Sequence, residues 1–98
     1  MAFMLRFTKQ AQKDLQGLSK SGHSAERLKK VRRALGRLQE DPKYPGLRSH
    51  KYHSAQGPGD TDVWDSYVEN NTPSAWRIFW QYGPEPGMIT IVTITPHP

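Results

Sequence analysis

The sequence predicts an α+β protein in which an N-terminal strand and two helices precede a small antiparallel sheet, in the order β-α-α-β-β-β. Two stretches in the first half carry apolar residues at helical spacing, and three stretches in the second half are rich in aromatic and β-branched residues. The chain has 98 residues, of which 35% are hydrophobic, so it can bury one modest core. We therefore expect a single domain over residues 1–98, with both helices covering one face of the sheet.

The first strand and the first helix follow directly from the apolar pattern. Residues 3–7 alternate as a strand does, and Thr8 then has the side chain of a helix N-cap. The helix should end near Gly22. Its apolar stripe consists of Ala11, Leu15 and Leu18.

The second helix is amphipathic and strongly basic. Ser24 is its candidate N-cap, and it should end before Pro42, which cannot donate a backbone hydrogen bond. Its apolar stripe consists of Leu28, Val31, Leu35 and Leu38. Its opposite face carries Lys29, Lys30, Arg32, Arg33 and Arg37.

The rest of the chain reads as strands separated by turns. A possible short strand at residues 47–52 is followed by a loop rich in glycine and proline at 56–60. Three stronger strands should form an antiparallel meander, with turns at 70–73 and 83–87. These strands are predicted at residues 63–69, 75–82 and 88–95.

Charge is distributed unevenly along the sequence. Residues 1–51 contain 13 Lys and Arg against 4 Asp and Glu, whereas residues 52–98 contain 1 against 5. A concentrated basic surface is typical of proteins that bind nucleic acid. The absence of cysteine excludes disulfides and thiolate metal sites. No stretch reaches the roughly 18 apolar residues of a membrane span, so we expect a cytoplasmic protein with no membrane partner.

Arg77 is a candidate phosphate-binding residue. It lies in the middle of the predicted strand at 75–82 and is the only Lys or Arg after Lys51. Such an arginine either presents its planar fork to a phosphate or forms a salt bridge across the strands. Asp65 and Glu69 are the carboxylates available for the second alternative.

His97 is a candidate proton-transfer residue. It follows the last predicted strand between Pro96 and Pro98. Histidine can take or give a proton near neutral pH, as RNA cleavage through the 2′-hydroxyl requires. The alternative is a solvent-exposed terminal histidine, or the remnant of a tag.

A third cluster of candidate residues follows the basic helix. Arg48, His50, Lys51 and His53 combine fixed cations with titratable groups. A metal site is the weaker interpretation, because the two histidines have neither a thiolate nor an obvious third ligand nearby. A surface phosphate clamp is the stronger one.

The order of these features resembles that of the RelE/ParE superfamily of toxins from type II toxin–antitoxin systems, and specifically the RelE-like mRNA endonucleases. The resemblance covers nearly the whole chain. It depends on the Trp-Arg-Ile-Phe-Trp stretch at residues 76–80, followed about 20 residues later by Thr-Pro-His at 95–97.

The resemblance implies ribosome-dependent cleavage of mRNA through the 2′-hydroxyl, with no metal or other cofactor. By this resemblance Arg77 supports the scissile phosphate, His97 transfers a proton, and His50 and Lys51 assist. The substrate-binding candidates are Arg48, His53, Lys29, Lys30, Arg33 and Arg37. The implied partners are a cognate antitoxin, mRNA and ribosomal RNA.

Two other functions are compatible with the same sequence. A ParE-like inhibitor of DNA gyrase would need no histidine and would perform no hydrolysis. A catalytically silent member would bind only RNA or an antitoxin. The distance between Arg77 and the candidate histidines bears directly on the choice between these functions.

Overall fold

The computed structural model describes residues 2–20, 24–56, 62–69 and 75–96. Within these residues, two α-helices pack on a five-stranded sheet with the strand order β1-β5-β4-β3-β2. The predicted α+β class is confirmed. The elements are β1 (Met4–Phe7), α1 (Lys9–Lys20), α2 (Ala25–Glu40), a short 3-10 helix (Pro45–Leu47), β2 (His50–Gln56), β3 (Asp62–Tyr67), β4 (Trp76–Tyr82) and β5 (Met88–Pro96).

The sheet is mixed rather than purely antiparallel. Strands β2 to β5 form the predicted antiparallel meander, but β1 pairs in parallel with β5. Hydrogen bonds at the start of α1 fix this edge: the Thr8 backbone N–H donates to the Ile91 carbonyl and the Thr8 hydroxyl donates to the Val92 carbonyl. A four-residue alternating pattern carries no information about strand direction, so the sequence could not reveal the parallel pair.

The helix caps and strand limits were predicted with mixed success. Thr8 caps α1 as expected, because its hydroxyl accepts the Ala11 backbone N–H at 3.1 Å. Ser24 occupies the N-cap position of α2, but its side chain makes no capping hydrogen bond.

The strand predicted from residue 47 begins only at His50, because Arg48 adopts a left-handed conformation with φ 48°. The predicted helix end at Gly22 and the loops at 57–60 and 70–73 lie outside the described residues.

The main core lies between the two helices and the sheet. The predicted stripe of α2 provides much of it, and burying each large apolar side chain contributes about 1.5–3 kcal/mol. Twelve buried residues form this cluster: Ala11, Leu18, Val31, Ala34, Leu35, Leu38, Leu47, Ile78, Trp80, Ile89, Ile91 and Ile94.

Trp80 connects this core to the loop that precedes β2. Its indole stacks on Trp64 with ring centroids 5.8 Å apart, and its Nε1–H donates to the Ser66 hydroxyl at 2.7 Å. Ser66 in turn shares a hydrogen bond of 2.6 Å with the Ser49 hydroxyl. Tyr82 packs edge-on against Trp80, and burial, assisted by the nearby Asp41 carboxylate, raises the pKa of its phenol. The chain of hydrogen bonds thus holds the residue before His50 against the core.

Asp14 of α1 holds the second half of β5. Pairing of β4 with β5 shifts register between Phe79 and Trp80. Beside this irregularity, one carboxylate oxygen of Asp14 accepts the Thr93 hydroxyl at 2.8 Å and the Ile94 backbone N–H at 2.9 Å. The backbone that leads to Pro96 is therefore anchored to a helix.

The sheet face opposite the helices is not an open surface where its central residues lie. Val63, Asp65, Arg77 and Phe79 all point to this face and are all buried. Two contacts account for part of this burial: the Tyr52 ring lies edge-on against Phe79 at 5.1 Å, and Arg77 pairs with Asp65. A ligand must therefore approach at the margin of this face.

Replacing Asp14 with alanine should destabilise the protein by about 1.5–3 kcal/mol, the usual contribution of a hydrogen bond to a charged group. Urea denaturation measures this free energy of unfolding. Gln10→Ala is the matched control, because it removes only the exposed hydrogen bond from Gln10 to the other oxygen of Asp14. Equal effects of the two substitutions would show that Asp14 does not anchor β5.

Candidate active site

Asp65 is the centre of a polar cluster on the sheet face opposite the helices. It lies in β3, directly opposite His50 of β2 and Phe79 of β4. Its side chain has no exposed surface. One of its carboxylate oxygens, Oδ2, lies 3.3 Å from Nη1 of Arg77 and 3.5 Å from Nε2 of His50. Two of the predicted catalytic residues are therefore brought together by a carboxylate between them.

The Arg77 guanidinium is held from two sides. Its Nη1 donates to both oxygens of Asp65, at 3.3 and 3.4 Å, so the salt bridge considered from the sequence is present. Its Cζ lies 3.6 Å from the centroid of the Tyr67 ring, which is a close cation–π contact. Its Nε is buried and has no hydrogen-bond partner within the described part of the chain. An arginine has five N–H donors, and this pairing with Asp65 uses only those of Nη1.

His50 is oriented by the turn that precedes β2. Its Nδ1 lies 2.9 Å from the Arg48 carbonyl oxygen, and its Nε2 faces Asp65. The ring is thus held between a backbone carbonyl and a side-chain carboxylate. The left-handed backbone of Arg48 is where the chain turns from the 3-10 helix into β2. Half of the His50 side chain is exposed, so it remains accessible at the margin of the cluster.

The Arg48 side chain contributes a second cation to the same margin. Its Cζ lies 5.8 Å from the Tyr67 ring, whose other cationic neighbour is Arg77. The His50 ring also lies beside Tyr67, with centroids 6.2 Å apart. Tyr67 therefore contacts three of the candidate residues, although the sequence did not single it out. One sequence feature could have identified Tyr67 as a member of this cluster. It lies two residues after Asp65 on the predicted strand, so both side chains point to the same face of the sheet.

Lys51 does not join this cluster. It pairs with Trp64 in the β2–β3 ladder, and neighbouring residues of a strand point to opposite faces. Its ammonium group lies 5.8 Å from the Trp64 ring and 3.4 Å from an Asp62 carboxylate oxygen. The structure therefore places Lys51 on the other side of the sheet from Arg77.

Two candidate histidines cannot be compared with this geometry. The backbone of His53 lies in β2, but its side chain is outside the described residues, and so is all of His97. The last described residue, Pro96, pairs with Trp76, and Thr95 pairs with Arg77. The predicted role of His97 remains a prediction.

The cations of α2 form two sets. Lys30, Arg33 and Arg37 line a groove of about 290 Å³ between α2, the 3-10 helix and the end of β3. Lys29 is exposed on the same helix but does not line this groove. On the β3 side the groove is bounded by Tyr67, Val68 and Glu69.

The described residues place further limits on the site. No group of three His, Asp or Glu side chains among them has the arrangement of a metal site. None of the helices they form is long and apolar enough to cross a membrane.

Comparison with solved structures identifies the fold. RelE in the archaeal RelE–RelB complex from Pyrococcus horikoshii OT3 is similar with a TM-score of 0.67 and 18% identity, over 98% of this chain and 96% of that chain. A YoeB/ParE toxin from Agrobacterium tumefaciens is similar with a TM-score of 0.71 and 10% identity, over 97% and 99% of the two chains. This chain has the RelE-like toxin fold. The resemblance predicted from the sequence is thus confirmed for the fold.

A third solved structure has the same fold, whereas two other comparisons found no match. The intact RelBE toxin–antitoxin complex of E. coli contains a chain with the same fold at a TM-score of 0.60 and 16% identity, over 99% of both chains. No family model matches the sequence. No curated protein matches it either. At these identities the RelE-like fold alone does not decide what the polar cluster does.

The buried pair can be tested by a double-mutant cycle. Asp65→Asn should destabilise the protein by roughly 3 kcal/mol or more, because it leaves the Arg77 guanidinium buried without a counter-charge. Adding Arg77→Gln to Asp65→Asn should recover part of this loss, since neither partner is then charged. Urea denaturation of the four proteins measures the coupling free energy. Strict additivity of the two substitutions would show that the pair is not coupled.

Proposed function

We propose that this chain is the toxin of a type II toxin–antitoxin system and that it cleaves mRNA on the ribosome. The observation that carries the proposal is the convergence of Arg77 and His50 on the single buried carboxylate of Asp65. A cation and a titratable group held side by side are two of the elements that RNA cleavage requires. The RelE-like fold and the basic surface support the same proposal.

The proposed reaction is a transesterification that needs no metal. A base removes the proton of the 2′-hydroxyl, and the 2′-oxygen attacks the adjacent phosphorus. The bond to the 5′-oxygen breaks, that oxygen receives a proton from an acid, and a 2′,3′-cyclic phosphate remains. Cations stabilise the additional negative charge on the phosphate in the transition state.

Residue roles in this proposal follow from the geometry where the structure describes it. Arg77 would contact the scissile phosphate with donors that Asp65 does not occupy. Only 11% of its side chain is exposed, so the phosphate would bind at the margin near Tyr67. His50, which lies beside Asp65 at this margin, and His97 are the two proton-transfer candidates, one as acid and the other as base.

The remaining candidates take supporting roles. Arg48 lies at the same margin as His50 and would contact a flanking phosphate. Lys51 lies on the opposite face and would affect binding only through its charge. Its substitution should therefore have a weaker effect than that of Arg77. On α2, Lys29, Lys30, Arg33 and Arg37 would contact RNA, and a cognate antitoxin would neutralise the basic surface. His53 would assist RNA binding.

One observation favours a second candidate function. Arg77 is almost fully enclosed by Asp65 and Tyr67, as expected for an arginine that serves the structure. A member of this fold that binds RNA or an antitoxin without cleaving RNA, or that inhibits DNA gyrase as ParE-like toxins do, would tolerate this arrangement. Cleavage and supercoiling assays distinguish these functions.

His97→Ala should lower the rate of mRNA cleavage in a ribosome-containing translation extract by roughly 100-fold or more, the usual contribution of general acid–base catalysis. His23→Ala is the matched control, because it removes a histidine that is not a candidate for the site. Primer extension on a reporter mRNA measures the cleavage.

Three outcomes would contradict parts of this proposal. Full cleavage by His97→Ala would remove His97 from the mechanism. The absence of cleavage by the unsubstituted protein would contradict the nuclease function itself. Inhibition of gyrase supercoiling without RNA cleavage would select the ParE-like alternative.

A further inference from the structure

We infer that the groove between α2 and the end of β3 binds the phosphates of the single-stranded RNA substrate next to the scissile position. This inference rests on the proposed function and specifies one site within it. It divides the cations of α2 into those that bind the substrate strand and those that do not.

The first argument is the position of Tyr67. Its ring forms part of the wall of the groove and also packs against the Arg77 guanidinium at 3.6 Å. A single side chain therefore separates the groove from the candidate catalytic cluster. A strand whose phosphate lay at Arg77 could continue directly over Tyr67 into the groove. An aromatic ring in this position can also stack on a base without sequence preference.

The second argument is the charge of the groove. Lys30, Arg33 and Arg37 line it together with one carboxylate, Glu69. Glu69 contacts Lys30 at 3.6 Å and also contacts Arg27 at 3.4 Å. Among the described residues Arg33 has no ion pair, and Arg37 contacts only the Tyr44 ring through its guanidinium. The groove therefore keeps an excess of positive charge that its own carboxylate does not balance.

The third argument is the chemical character of the groove. The polar surface of its walls comes mainly from charged groups; of its apolar residues, Ala34 and Leu47 are nearly fully buried and Val68 is partly buried. A protein segment gains most of its affinity from apolar anchors in desolvated pockets, which this surface does not offer. Its volume of about 290 Å³ is at the lower end of ligand pockets. These properties favour one part of a nucleic-acid strand over an antitoxin segment.

Glu69 then acts as a competitor of the RNA. Its carboxylate occupies Lys30 and Arg27, and only 13% of its side chain is exposed. It also accepts the Trp76 backbone N–H at 3.3 Å, a bond that a glutamine could keep. Glu69→Gln should therefore release the groove cation Lys30 for phosphate without loss of the strand end. This substitution should strengthen RNA binding.

The experiment measures the affinity of the full chain for a fluorescent single-stranded 2′-O-methyl RNA as a function of salt. This RNA keeps its phosphates but cannot be cleaved through the 2′-oxygen. Arg33→Ala and Arg37→Ala should each lower the affinity about fivefold to tenfold and reduce the slope of log K against log salt by about 0.7. Glu69→Gln should raise the affinity severalfold.

The control is Arg32→Ala, which removes an exposed cation of the same helix that does not line the groove. Its effect should be less than twofold. Equal losses for Arg32→Ala, Arg33→Ala and Arg37→Ala would overturn the inference, because the helix would then attract RNA only through its overall charge. Loss of binding to an acidic antitoxin peptide, with RNA binding unchanged, would assign the groove to a protein partner.

The result also separates this inference from the proposed function. If the unsubstituted protein cleaves mRNA but the groove substitutions leave RNA affinity unchanged, the groove inference fails and the nuclease proposal stands. If the unsubstituted protein binds no RNA at low salt, the proposed function fails as well.

Discussion

The buried carboxylate of Asp65 determines the arrangement of the sheet face on which the candidate site lies. Taking a carboxylate out of water costs several kcal/mol unless partners compensate for the lost hydration. Here Arg77 donates to both oxygens of Asp65, His50 lies beside one of them, and Tyr67 covers the guanidinium from the side. The positions of Arg77 and His50 are thus fixed in the free protein. A phosphate that bound to them would meet groups that are already ordered, which reduces the entropic cost of binding.

Two sets of hydrogen bonds attach the strands of this site to the buried core and to α1. The Trp80 indole, Ser66 and Ser49 form a continuous chain that ends one residue before His50. Strand β5 lies on the opposite side of β4 from β3, and Asp14 holds the part of β5 that leads toward His97. Each connection begins in α1 or in the buried core, so the helix layer supports both ends of the candidate site. Side chains that are held in this way can keep the geometry that acid–base chemistry needs.

The sequence predicted the elements of this fold better than their register. The apolar stripe of α2 and the alternation in β4 identified the core and placed Arg77 on the face away from the helices. The start of β2 was not predictable, because the left-handed Arg48 interrupts a pattern that reads as extended. In a strand, a shift of one residue exchanges the two faces. Whether His50 or Lys51 faces Arg77 therefore depended on a register that the short β2 pattern could not fix.

The same reasoning explains what could be foreseen of the cluster. Asp65 and Glu69 were both recognised as possible partners of Arg77 across the strands, and the structure pairs Arg77 with Asp65. Tyr67 lies directly opposite Arg77 in the β3–β4 ladder, but its contacts with Arg48 and His50 depend on the backbone turn at Arg48. The groove beside α2 depends on how the 3-10 helix packs between the layers. Such long-range packing leaves no periodic signal in the sequence.

Three carboxylates from the acidic second half of the sequence are paired with cations in the folded protein. Asp62 contacts Lys51, Asp65 contacts Arg77, and Glu69 contacts both Arg27 and Lys30. The negative charge of β3 and Glu69 is therefore neutralised by nearby cations. The exposed residues Lys29, Arg32 and Arg33 of α2 form no ion pair within the described part of the chain. These exposed cations without an ion pair attract a polyanion to α2, which also provides Lys30, Arg33 and Arg37 to the wall of the groove.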